Sequence, residues 1–365
     1  MKVALFSTCR YQGPALGGTW PVPGSVYSHQ AAQDSMQQSL EQFRLADEAG
    51  FDWVTVAEHH FAPFSLTPNP MVMAGTLTQV VKRAKIALLG ADIPILNPVR
   101  VAEEFAMLDT LTGGRVIAGM LRGTPNEYIT YNINPAESRA RIEEALQLIR
   151  MAWTQTQPFG WQGRFYEYRT ISIWPRCVQS PHPRIYMSGS SPEAGEFAAR
   201  NRIGLGFAVT TVPLAAKAAD FYRTQARRHG YDPEPEDVIY RVGMHVGETD
   251  HQALEDFMAA SKDGRRVGLV MSNRALESAL AETGYYGRDA DMQRQRLKPR
   301  ALQESIDQGQ ILLGGPETVL KQIEAITRAL GPGVLDLAVA HQMGEKTNHS
   351  IELFAEKVLP RIRHW

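Results

Sequence analysis

An apolar strand pattern, Val54-Thr55-Val56-Ala57, runs directly into Glu58-His59-His60-Phe61, so a carboxylate and two imidazoles stand together where a β-strand should end. Imidazole titrates near neutrality and can give or take a proton, which makes His59 and His60 candidate general acid/base groups. The same residues also suit a hydrogen-bonded core or surface position, so their surroundings must decide between the two. Shared metal chelation is not expected. Adjacent residues on an extended segment point to opposite faces, and His-Glu-x-x-His does not occur.

A second group of residues has the chemistry of an anion site. Ser190 and Ser191 precede Pro192-Glu193 at the start of a helical pattern, and hydroxyls beside a helix N-terminus suit a phosphate. Ser191 is equally what an ordinary N-cap requires. Arg122, in Met120-Leu121-Arg122-Gly123, follows a strand pattern and would be aimed at the same rim; arginine is preferred where phosphate is held bidentately. Arg139 opens a helix in Glu137-Ser138-Arg139, either as a further anion contact or as part of a solvated face with Glu143 four residues on. Gly90-Ala91-Asp92 carries little bulk, which would let a flat ring lie against backbone or would simply serve the geometry of a strand end. Trp20, Phe64, Met107, Tyr128, Trp161 and Tyr166 offer apolar surface to a pocket or to the core. Gly-x-Gly-x-x-Gly, Gly-x-x-x-x-Gly-Lys-[Ser/Thr] and Gly-x-Ser-x-Gly are all absent, so a self-contained dinucleotide fold, a P-loop and the commonest hydrolase elbow lack support.

Positioning these groups falls to short β-branched runs that alternate with stretches of helical period, the pattern of βα units around a parallel sheet. Strands are expected over Lys2–Thr8, Phe51–Ala57, Lys85–Gly90, Arg115–Met120, Arg184–Ser188, Gly204–Val209, Val238–Val246 and Val334–His341. Helices are expected over Ala31–Ala49, Pro70–Val81, Val99–Thr112, Pro135–Thr156, Pro192–Asn201, Pro213–His229, Pro316–Leu330 and Ser350–Ile362. Eight such strands make a (β/α)8 TIM barrel with insertions, with a doubly wound open sheet as the alternative. One barrel domain would span residues 1–365. A small excursion occupies 158–183, and the largest insertion, 261–310 after strand seven, is a candidate lid or surface insertion.

Composition narrows the partners. Thirty-eight basic and 39 acidic residues leave a formal charge of -1, without the basic excess of a nucleic-acid binder or a polybasic membrane surface. No apolar run is long enough to span a bilayer, and the N-terminus reads as a strand rather than a signal peptide. Two cysteines, Cys9 and Cys177, are too few for a disulfide framework and fit a reducing, cytoplasmic setting.

Taken in order, Ala57-Glu58-His59-His60-Phe61, Leu108-Asp109-Thr110-Leu111-Thr112-Gly113-Gly114-Arg115, Gly119-Met120-Leu121-Arg122-Gly123, Glu137-Ser138-Arg139, the Trp174-Pro175 to Pro181-His182-Pro183 excursion and Ser190-Ser191 resemble the bacterial luciferase-like flavin monooxygenases. The resemblance covers most of the chain and is weakest over 261–310. It implies a barrel that binds reduced FMN from a separate flavin reductase and, with O2, forms a C4a-(hydro)peroxide that oxygenates a small hydrophobic organic substrate. It further implies that His59 assists proton transfer with His60 beside it, and that Arg122, Arg139 and Ser191 hold the FMN phosphate with Ser190 adjacent. Ala91 and Asp92 would pack backbone behind the flavin ring, often with a non-proline cis peptide. A homodimer through the helices near strands two and three is implied as well, for which Met71, Val72, Met73 and Leu77 are apolar enough. Ser190 stands where luciferase has Glu and Leu121 where it has Cys, so light emission is not carried over. The alternatives are a deazaflavin (F420) hydride-transfer enzyme of the same barrel family and a non-catalytic flavin-binding subunit.

Overall fold

The computed structural model describes residues 1–13, 20–262, 300–339 and 343–365. Its strands are β1 (Lys2–Phe6), β2 (Trp53–Val56), β3 (Lys85–Asp92), β4 (Val116–Leu121), β5 (Phe159–Gln162), β6 (Glu167–Ile171), β7 (Ile185–Ser188), β8 (Gly204–Phe207), β9 (Val238–Val246), β10 (Ile311–Gly314) and β11 (Val334–Val339). Parallel pairing runs β1-β2-β3-β4-β7-β8-β9-β11 and returns to β1, closing an eight-stranded (β/α)8 barrel. The open doubly wound sheet is thereby excluded.

Strands buried on both faces read as continuous apolar runs, and the side chains here divide by alternation. Ala4, Trp53, Ala87, Ile117, Tyr186, Ile239 and Val334 fill the barrel interior. Their neighbours, such as Val3, Leu5, Val54, Ile86 and Leu335, pack outward in the main core with helical residues. Because the eight strands are parallel, their C-terminal ends share one face, and the loops that leave that face have to build any site there.

The helices are α1 (His29–Glu48), α2 (Pro70–Val80), α3 (Pro98–Thr112), α4 (Pro125–Thr130), α5 (Ser138–Thr154), α6 (Pro192–Arg200), α7 (Val212–Arg228), α8 (Asp250–Lys262), α9 (Leu302–Asp307), α10 (Pro316–Leu330), α11 (Glu345–Leu353) and α12 (Leu359–Ile362). Phe43 and Ala46 of α1 are buried as their spacing predicts, and Gly50, with φ +87°, turns the chain out of that helix. Asn69 and Asn97 cap α2 and α3 by accepting from Met71 N at 2.9 Å and Val99 N at 3.0 Å, ahead of a proline at the first helical position.

Several boundaries differ from the sequence reading. Strand three continues past Gly90 to Asp92 through an irregularity between Leu88 and Ala91, and the peptide Leu89–Gly90 is cis. Strand one stops at Phe6 and strand six at Phe207, each short of a left-handed residue, Cys9 at φ 49° and Val209 at φ 52°. The helix α4 precedes the helix expected from Pro135, which itself begins with a 3-10 turn. The excursion 158–183 is built on the antiparallel hairpin β5–β6. Glu144 of α5 secures it by accepting from Phe165 N and Tyr166 N at 3.0 Å and from the Trp161 indole at 3.2 Å. Of the expected insertion 261–310, residues 263–299 lie outside the described residues, as does His341; α9 and β10, however, are regular. The strand β10 pairs with β9 at Gly243–Val246, above the stretch Val238–Tyr240 where β9 pairs with β8.

Candidate active site

The end of β2 delivers Glu58, His59 and His60 to the barrel mouth, and the two imidazoles engage different carboxylates. His60 Nε2 lies 3.0 Å from Glu58 Oε1, and both side chains are buried. Glu58 Oε2 also accepts from Asp92 N at 2.9 Å, while Glu58 N donates to Gly90 O at 3.2 Å. These bonds tie the ends of β2 and β3 together. The loop after β1 closes over them: Trp20 donates its indole N–H to His60 O at 3.0 Å and stacks on Phe61 with centroids 6.1 Å apart.

His59 is partly exposed and faces Glu127 of α4, with Nδ1 3.4 Å from Oε1. Glu127 is the residue that sequence reasoning missed. Its local signal is the capping box Thr124-Pro125-Asn126-Glu127, in which Glu127 Oε2 accepts from Thr124 N at 2.9 Å and from the Thr124 hydroxyl. The cap uses one oxygen and leaves the other for His59. Burial pushes the Glu127 carboxyl up, but hydrogen bonds and charge from His59, with those from Thr124, outweigh it and hold the group below its ordinary range.

Asp92 lies between these pairs at the end of β3. Burial, together with the charges of Glu58 and Glu127, pushes its carboxyl well above the usual range. Its Oδ2 is buried with no hydrogen-bond partner among the described residues. Tyr131 borders the cluster, its ring 5.1 Å from His60, and its hydroxyl is also raised, by burial and by the charges of Glu58, Glu127 and Asp92. Phe64 packs edge-on against His59 at 5.3 Å.

Backbone comes very close behind this cluster. A Cβ on Gly90 would lie 2.5 Å from Leu121 Cγ, and one on Gly119 would lie 2.1 Å from Leu88 O. Only glycine permits β3 and β4 to meet this way, and the result is a flat wall of backbone containing the cis Leu89–Gly90 peptide with Ala91 just beyond it. The cis bond thus falls one residue before the expected Ala91-Asp92 pair.

The anion-site candidates share the same face. Asp92 and Leu121 are register partners, so Arg122 follows directly beside Asp92. Tyr128, buried, donates to Arg122 O at 2.7 Å and fixes that turn. Ser190 and Ser191 lie beyond the end of β7, the neighbour of β4. Ser191 caps α6 by accepting from Ala194 N at 3.3 Å, and a Cβ on Gly189 would lie 2.6 Å from Ala194, which keeps this turn tight. Arg139 is the second residue of α5; Glu143, expected as its helical partner, instead pairs with Arg200 at 3.8 Å. Arg122, Ser190 and Ser191 thus follow the ends of the neighbouring strands β4 and β7, and guanidinium, hydroxyl and helix N-terminus are the donor types that suit a phosphate monoester.

Among the expected pocket residues, Trp20 and Phe64 do stand at the histidines, and Tyr128 lies under Arg122. Met107 is on the exposed face of α3, and Trp161 and Tyr166 belong to the β5–β6 region held by Glu144.

A model of the luciferase-like monooxygenases matches residues 17–332. The chain belongs to that family. Its relatives include the alkanal monooxygenase beta chain of Photorhabdus laumondii, 27% identical over 70% of this chain and 79% of that one. The oxygenase component of the flavin-dependent trigonelline monooxygenase of Acinetobacter baylyi is 25% identical over 52% of each. Among solved structures, a Streptomyces bottropensis monooxygenase superposes with a TM-score of 0.77 at 26% identity, covering 99% of both chains. The oxygenating constituent of a Pseudomonas putida 3,6-diketocamphane monooxygenase, in complex with FMN, gives 0.76 at 19% identity and 99% of both chains. An F420-dependent secondary alcohol dehydrogenase gives 0.71 at 19%, also over 99% of both. As a luciferase-like monooxygenase the chain is an oxidoreductase of a flavin-using family. Among the described residues of this luciferase-like monooxygenase, no helix is long and apolar enough to cross a membrane.

Proposed function

We propose that the chain is the oxygenase component of a two-component system, taking reduced FMN from a separate flavin reductase and using O2 to oxygenate a small organic molecule. What supports this reading is that two carboxylate–imidazole pairs stand before a close-packed backbone wall at the barrel mouth, with Arg122, Ser190 and Ser191 following strand ends on the same face. Bound reduced FMN would supply the electrons that activate O2 for insertion of one oxygen atom. Arg122, Arg139, Ser190 and Ser191 would hold the phosphate. The wall at Gly90, Ala91 and Asp92 would support the ring.

His59 is the group that holds or moves a proton near the reacting atoms. It alone of the two imidazoles is accessible, and Glu127 fixes its Nδ1 side so that Nε2 faces the mouth. His60, buried between Glu58 and Tyr131, keeps the strand end rigid. Trp20, Phe61 and Phe64 keep water from the mouth, which favours product over loss of the oxidising equivalent. The barrel is one functional unit by this reading, and its two free cysteines suit a reducing cytoplasm.

Self-association as a homodimer is part of the proposal. Met71, Met73 and Leu77 are buried in the core, so they do not provide the surface. Val72 on α2 and Met107 and Leu111 on α3 are at least half exposed, beside Val178 in the segment that hydrogen-bonds to Asp109. Such a cluster suits an interface.

The test is anaerobic binding of reduced FMN followed by mixing with O2, with wild type and His59→Ala compared. The variant should consume reduced flavin but release H2O2 in place of oxygenated product. Equal coupling in the two proteins would refute the role of His59, and tight binding of F420 with indifference to FMN would move the chain to hydride transfer.

A further inference from the structure

The barrel interior above its apolar plug contains a cation that the chemistry at the rim does not use. Along β9 and β11, register partners stack in layers: Ile239 with Val334, then Arg241 with Asp336, then Gly243 with Ala338. Ile239 and Val334 belong to the interior plug. Alternation therefore places Arg241 and Asp336 one layer nearer the mouth and Gly243 and Ala338 above them. Asp336 is wholly buried and fully satisfied, with Oδ1 accepting from the Thr55 hydroxyl at 2.8 Å and Oδ2 from Arg241 Nε at 2.7 Å.

Arg241 is not satisfied in the same way. Its guanidinium carbon sits 3.4 Å over the centroid of the Phe6 ring, which fixes the plane of the fork. Asp336 takes only Nε, and among the described residues no side chain takes the N–H groups of Nη1 and Nη2. Arg241, Gly243 and Ala338 all retain partial exposure although they point into the barrel, so the smallest side chains stand where a guest could reach the fork. A flat, preorganised guanidinium with open Nη groups inside the barrel, below the rim, matches a carboxylate, which it can grip bidentately. A site built around such donors also discriminates strongly against analogues that leave them unpaired.

We propose that Arg241 anchors the organic substrate by a carboxylate group, with Phe6 stacked against one face of the guanidinium and Asp336, itself held by Thr55, fixing Nε. The apolar body of the acid then extends past Gly243 and Ala338 toward His59. This rests on reading the barrel mouth as the substrate chamber, but its test uses neither flavin nor turnover.

Saturation-transfer NMR titrations would compare octanoate with 1-octanol, cinnamate with cinnamyl alcohol, and cyclohexanecarboxylate with cyclohexylmethanol. Arg241→Met alone would strand the buried Asp336, so the double variant R241M/D336N is compared with wild type, and Arg241→Lys keeps the charge without the fork. At least one acid should bind wild type tenfold or more tightly than its alcohol, with the ratio below threefold in the double variant and intermediate in Arg241→Lys. Absence of preference in all three wild-type pairs, or preference that survives in the variants, overturns the proposal. A preference abolished by added inorganic phosphate but insensitive to Arg241 also overturns it and assigns the anion to the rim. Carboxylate selectivity in a protein that fails to couple FMN and O2 would refute the oxygenase reading while leaving the anchor intact.

Discussion

Glu127→Gln tests how His59 is held. The Glu127 side chain is buried, and its two oxygens have separate duties: Oε2 accepts from Thr124 N, and Oε1 faces His59 Nδ1 at 3.4 Å. An amide in the same place must keep its oxygen toward the Thr124 N–H, so its NH2 is turned toward His59. Nδ1 then becomes an acceptor and the ring proton moves to Nε2, the nitrogen that faces the mouth. The variant also loses the negative charge that stabilises an imidazolium. At 3.4 Å and an effective dielectric near 20, that attraction is about 5 kcal/mol; water at the partly exposed ring reduces it, leaving about 2–4 kcal/mol, or roughly 30- to 1,000-fold in any step that charges His59. Histidine 15N NMR reads the tautomer directly, and the yield of H2O2 per flavin oxidised reads the consequence. The protein should stay folded because the Thr124 cap survives. An unchanged His59 tautomer together with unchanged coupling would refute the positioning argument.

Asp92→Asn addresses the raised carboxyl. A group with an elevated folded-state pKa holds more protons in the native state than in the unfolded chain, so stability falls as pH rises from the ordinary aspartate range toward the elevated value. The variant should therefore match wild type in acid and be the more stable at neutral pH, removing a slope of at most about 1.4 kcal/mol per pH unit; urea melts at several pH values give the answer, and parallel curves would contradict it. His245 and His182 are both depressed, chiefly by burial, so the native state resists their protonation and stability should decline as pH drops below the ordinary histidine range; a His182→Asn, His245→Asn double variant should flatten that decline in the same melts. Leu111→Glu should shift the proposed dimer toward monomer in light scattering without altering the circular dichroism, and a wild-type monomer at micromolar concentration would dismiss the dimer.

The barrel was legible because parallel strands buried on both faces must be written as apolar runs; Val238–Val246 has its expected bounds, and the other seven expected strands differ only at their ends. β10 escaped notice since Ile311–Gly314 has four residues and sits between polar stretches. The rim residues could be recognised by type and order, whereas Glu127 was hidden by a sufficient local role, capping, that disguises its second one. Arg241 and Asp336 did leave a trace: each is a lone charge inside an apolar strand, Val-Ile-Tyr-Arg-Val and Val-Leu-Asp-Leu-Ala. Two such charges of opposite sign, each two positions past an inward-facing apolar residue, imply a pair across the interior. Register is needed to see that they meet.

The division of β9 between two neighbours has a consequence for chain length. Ring closure on that side uses Leu205–Phe207 against Val238–Tyr240, and the upper part of β9 is paired by β10 instead. Everything encoded between β9 and β10 departs from one strand and comes back to that same strand. A change in the length of that detour need not alter the pairing that closes the ring, provided Ala253 and Phe257 of α8 still pack against Leu313 of β10.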